Sequence, residues 1–210
     1  MTIVCYDGKT IAADKMSRVR GEDGKRRVKS LEKEKITTGF KHAHFEGERI
    51  QIIGRAGLTK LSTETIAFLM SHKTINTLKA HLEKKFPEGV SRGCRMLIVT
   101  QNSVFRVRVT PKFEIEHMRY KKTKQVAIGT PQKTAEFLMR KQNIAAQHVV
   151  SIIQGFAPGC GGGVDYTSRF QVAAGSAVRH IPPFEDSKQQ QLHYLRHARE
   201  RIDELIKKLE

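Results

Sequence analysis

The order of elements along the chain predicts an α+β fold in which antiparallel strand pairs are flanked by helices that come two at a time. Three observations carry this. Residues 1–14 read as two strands around Asp7-Gly8, a strong hairpin signal. Residues 95–118 hold three strand-like runs separated by short turns, as in a meander. Helical patterns fall in pairs near 58–86 and 130–153, whereas a doubly wound parallel sheet would alternate single helices with strands.

In the opening hairpin Ile3, Cys5, Ile11 and Ala13 are expected to share one face, with Asp7-Gly8 as the turn. Residues 15–35 form a basic segment rich in Arg and Lys, with Gly21-Glu22-Asp23-Gly24 as its tip. It lacks the interleaved aromatics that stack on bases, so a solvated hairpin extension accounts for it better than a dedicated nucleic-acid site. Ile36, Phe40 and Phe45 are candidate core residues. Ile50-Gln51-Ile52-Ile53-Gly54 is a short β-branched strand, followed by Arg55-Ala56-Gly57 and a helix opening at Leu58. Leu61, Ile66, Leu69 and Met70 fall on its apolar face. A second helix spans about 77–86 and stops at Pro87-Glu88-Gly89.

In the meander, Val107 and Val109 alternate with Arg106 and Arg108, so that strand should turn one basic side to solvent. A short strand over 124–129 leads to Thr130-Pro131, read as N-cap and first helical residue. Another helix spans about 144–153. A glycine-rich loop over 155–163 lacks the Gly-Lys-Ser/Thr ending of a phosphate-binding loop, and residues 164–173 should resume a strand. Residues 1–183 form the main domain. Residues 184–210 read as an amphipathic C-terminal helical extension.

Composition bounds the function. The formal charge of +17 favours acidic partners, nucleic acid among them. No apolar run in the sequence is long enough to cross a bilayer, and no secretory signal is visible, so a cytoplasmic protein with no membrane association is expected. Cys5, Cys94 and Cys160 are odd in number and far apart, unlike a paired-cysteine zinc site. No cofactor or metal is expected.

Thr2 is the residue with chemical potential. Once Met1 is removed it carries a hydroxyl and a free α-amine whose ordinary pKa is roughly 7.7–8.0, so one residue can serve as nucleophile and general base.

Taken together, Thr2-Ile3-Val4, Ala12-Ala13-Asp14, Lys41 ahead of Ile52-Ile53-Gly54-Arg55-Ala56-Gly57, Ala127-Ile128-Gly129-Thr130 and Asp165-Tyr166-Thr167-Ser168 are similar in order and spacing to the N-terminal-nucleophile hydrolases of the proteasome β-subunit type. The resemblance covers about residues 2–174 and implies a four-layer αββα sandwich with two antiparallel sheets. It implies a threonine endopeptidase with Thr2 as nucleophile, Asp14 and Lys41 beside it, and Gly57 N–H as oxyanion donor. Thr130 stands in place of the family's usual Ser, and Asp165 and Ser168 lie near the amine. The sequence departs from the pattern at Pro131 and Arg169, where the family often has Gly. Implied partners are a peptide or unfolded protein substrate, identical subunits in a homo-oligomeric ring, and an ATP-dependent unfoldase by analogy. The alternative is an inactive scaffold or assembly protein of the same fold, associated with nucleic acid through its basic surface.

Overall fold

The computed structural model describes residues 2–20, 26–30, 33–71, 75–157, 160–173 and 178–181. Met1, the tip of the basic segment and the expected helical extension at 184–210 lie outside the described residues. The fold is mixed α+β with two antiparallel sheets.

The chain opens with β1 (Ile3–Tyr6) and β2 (Thr10–Asp14). Their register pairs Tyr6 with Ile11 and Val4 with Ala13. The central turn residues are therefore Gly8 and Lys9, one position later than Asp7-Gly8. Gly8 has φ +100°, and the Asp7 N–H donates to Thr10 O at 3.1 Å. Residues directly opposite one another share a face, and Cys5 lies opposite Ala12. Ile3 and Cys5 accordingly lie with Ala12 on one face, while Val4 and Tyr6 lie with Ile11 and Ala13 on the other. This corrects the expected grouping. Asp7 locks the turn by accepting from the N–H groups of Lys9 (2.9 Å) and Thr10 (2.8 Å).

The basic segment forms a separate ribbon, β3 (Ser17–Arg20) with β4 (Arg26–Ser30). Two short strands follow, β5 (Ile36–Thr37) and β6 (His44–Phe45), and both pair with the long β7 (Glu48–Gly57). After β7 come α1 (Thr59–Met70), a 3-10 turn (Ile75–Thr77) and α2 (Leu78–Lys85). Leu61, Ile66 and Leu69 are buried as expected, but Met70 is exposed at the helix end. The meander is β8 (Cys94–Thr100), β9 (Ser103–Val109) and β10 (Ile115–Lys121).

Next come β11 (Val126–Gly129), α3 (Gln132–Lys141) and α4 (Ala146–Phe156). Here α3 starts one residue after Pro131, and Thr130 makes no cap, because Pro131 itself occupies the non-helical cap position (φ −87°, ψ 28°). Residues 164–173 are not one strand. They divide into β12 (Val164–Ser168) and α5 (Arg169–Ala173), and β13 (Arg179–Ile181) pairs back on β12. The strand ends because Ser168 and Gln171 form a reciprocal cap: Gln171 N–H donates to Ser168 Oγ and Ser168 N–H to Gln171 Oε1, each at 3.1 Å.

One sheet runs β11-β1-β2-β12-β13 and the other β10-β9-β8-β7-β5. Three cores stack them. Val4, Ile11, Ile52, Leu97 and Ile128 meet between the sheets. Leu61, Leu69 and Leu78 join α1 and α2 to the outer face of the second sheet, and Ala135, Met139, Val149 and Ile153 join α3 and α4 to the outer face of the first. The sheets approach closely at Gly54, where a Cβ would sit 2.5 Å from Val4 Cγ1. Among the described residues no helix is long and apolar enough to cross a membrane.

Candidate active site

Strand β1 is paired on both sides, by β11 and by β2, and this delivers Thr2 to the end of the first sheet. The Thr2 carbonyl passes Gly129 so closely that a Cβ there would lie 1.8 Å from Thr2 O, and Gly129 has φ +116°. Only glycine satisfies both demands.

Asp14, at the end of β2, reaches back to this point. Its Oδ1 accepts the Ile3 N–H at 2.8 Å, and its Oδ2 lies 2.8 Å from Lys35 Nζ. Lys35 Nζ also donates to Met16 O at 2.7 Å. The two side chains are 2% (Lys35) and 0% (Asp14) exposed, so this is an ion pair taken out of water. Burial pushes the Asp14 carboxyl up and the Lys35 ammonium down from their ordinary values, and their mutual attraction opposes both shifts.

The expected neighbour of Asp14 was Lys41. The structure places Lys41 on the exposed surface after β5, and Lys35 occupies the position beside Asp14. The physical reason is strand register. Lys35 continues the β5–β7 ladder, with its carbonyl accepting the Arg55 N–H at 2.9 Å, while Lys41 lies beyond that ladder. Lys35 is missed in sequence because a buried lysine inside a basic run looks like its solvated neighbours. The available signal is its place directly before the core residue Ile36.

The same ladder positions Gly57. Backbone N–H groups two residues apart on a strand point to the same edge, so Gly57 N–H shares the edge from which Arg55 N–H reaches Lys35. Thr2, Lys33, Lys35 and Gly57 line a recess of about 10 Å³, room for roughly one water. Beside it opens a cleft of about 1620 Å³ whose walls include Thr2, Gly57, Gly129 and Thr130. Thr2, Asp14, Gly57 and Thr130 are thus gathered at one end of the sandwich.

Asp165 and Ser168 separate. Asp165 is buried, bonds His180 Nδ1 at 3.0 Å and lies 3.6 Å from Lys15 Nζ, and its charge favours the ammonium form of Lys35. Ser168 pairs with Thr10 at the opposite end of β2 from Asp14, where it caps α5.

The cysteines are poor competitors for a nucleophilic role. All three are buried thiols outside any disulfide, and burial pushes the Cys94 thiol, on the cleft wall, up to about 12. Among the described residues, no group of three or more His, Cys, Asp or Glu is arranged to hold a metal ion.

Comparison of the sequence with family models and with curated proteins gives no match. The residues themselves carry the functional argument.

Proposed function

We propose that the chain is a threonine-type peptidase of the N-terminal-nucleophile class, acting through Thr2 after removal of Met1. The observation that supports it most is Asp14, which holds the first amide of β1 and the buried Lys35 ammonium at once, beside Thr2. Thr2 Oγ attacks the scissile carbonyl carbon, and its proton passes to the Thr2 amine. Lys35, charged and oriented by Asp14, favours the deprotonated hydroxyl and the neutral amine. Gly57 N–H faces the developing oxyanion. Collapse of the tetrahedral adduct breaks the C–N bond, and the leaving amine takes the proton. Water then attacks the acyl ester under the same base and restores Thr2.

The layer order of helices, sheet, sheet and helices agrees with the architecture the family resemblance implies. A closed ring of identical subunits, an ATP-driven unfoldase partner and a cytoplasmic setting complete the proposal, resting on the resemblance and on the free thiols.

Intact mass of protein carrying no N-terminal tag tests the premise: loss of one Met residue is expected. Thr2→Ala should then abolish peptide hydrolysis while the circular dichroism spectrum is retained. Undiminished turnover by Thr2→Ala refutes the reading. Retained Met1 with no activity would leave a non-catalytic scaffold with a basic surface.

A further inference from the structure

The cleft beside Thr2 is strongly basic. Lys60 from α1, Arg92 before β8, Arg95 on β8 and Lys133 on α3 all line it, and among the described residues none of the four has a carboxylate within ion-pair distance. Two further lining cations are compensated, Arg106 by Glu136 and Arg108 by Glu116 at 3.2 Å. Among the described residues, Glu116 is the sole acid that lines the cleft. The four uncompensated cations are exposed along the cleft and come from α1, the segment before β8, β8 and α3, so the cleft carries one sign of charge on several walls.

Resting on the peptidase reading, we propose that this cleft selects peptides carrying Asp or Glu beside the scissile bond. A carboxylate offers Arg92 or Arg95 a planar partner for paired N–H donors. A single-stranded nucleic acid is the other polyanion such charge could attract, and the lining argues against it. Among the described residues no Phe, Tyr or Trp lines the cleft, so bases find no stacking platform there. A backbone running in extended form past Gly57 and Gly129 suits a peptide better.

Binding and turnover test this separately. Fluorescence anisotropy on the full-length Thr2→Ala protein would use a labelled Glu-rich dodecapeptide, its Lys-rich counterpart and labelled oligo-dT of equal charge. The acidic peptide should bind at least tenfold tighter than the basic one. The preference should shrink as salt rises, and the Arg92→Glu/Lys133→Glu double variant should lose it by about tenfold, with circular dichroism and melting temperature confirming that the variant is folded. In parallel, fluorogenic peptides with Glu, Leu or Lys on either side of the cleaved bond would be offered to protein with Thr2 exposed, and the ratio of kcat/KM for Glu over Lys should exceed about ten. Equal binding of acidic and basic peptides, or equal turnover of all three, overturns the inference. Oligo-dT binding more tightly than the acidic peptide, and lost in the same double variant, would assign the cleft to nucleic acid and also overturn it. Tight acidic-peptide binding with no cleavage of any peptide would uphold the basic cleft and remove the Thr2 mechanism.

Discussion

Asp14 and Lys35 show how much one residue pair can be asked to do. Breaking a buried ion pair by removing one partner leaves an uncompensated charge and costs about 3–5 kcal/mol. Asp14→Asn and Lys35→Met should each destabilise by that order in urea titrations, and the double variant should cost much less than the sum. The pH dependence has a definite sign. Burial holds Lys35 below its ordinary value, so in Asp14→Asn, stripped of its counter-ion, Lys35 falls further. Between that lowered value and about 10.5 the unfolded chain binds more protons than the folded one. Stability of Asp14→Asn should therefore rise with pH through this window, more steeply than in the parent protein. Lys41→Ala, on the exposed surface, should change stability by less than about 0.5 kcal/mol and peptide turnover by less than twofold. Lys35→Ala should reduce turnover by at least a hundredfold.

At the scale of elements, two glycines decide whether strands reach their places. Gly129→Ala would drive a methyl into Thr2 O at a positive φ, so it should cost several kcal/mol and displace Thr2 from the cleft. Gly54→Ala would press on Val4 Cγ1 and Ile11 Cδ1, side chains that can shift, and should cost about 1–3 kcal/mol. Thermal melts of the two variants check the ranking. Most elements were legible from periodicity: the meander, α1, α2 and the α3–α4 pair all lie where alternation or helical spacing put them. Three features were not. The hairpin faces follow from the pairing of Cys5 with Ala12, which sets odd positions of β1 beside even positions of β2. The end of β12 depends on the Ser168–Gln171 cap, whose Ser-x-x-Gln spacing lies inside a continuous strand-like run. The partner of Asp14 depended on the β5–β7 register, a long-range pairing that no local pattern reports. The gathering of Thr2, Asp14 and Gly57 at one end of the sandwich was readable because they lie at strand ends marked by their own sequence neighbourhoods. Lys35 was not, because its burial is decided by the whole sandwich.

At the scale of the molecule, the inter-sheet core is what makes the two halves one object. Leu97 is fully buried in it, and Leu97→Ala should lower stability by about 2–5 kcal/mol, with both sheets lost in a single transition by circular dichroism and intrinsic fluorescence. The double pairing of β1 also has a mechanical meaning. Tension applied along the chain at residue 2 loads two ladders at once, against β11 and against β2, and loads them in shear. Tension applied across the sheet at Ile181 meets only the three-residue pairing of β13 with β12, which opens one rung at a time. The strand that carries Thr2 is thus the stiff part of the sheet, and the edge strand β13 is the one that peels.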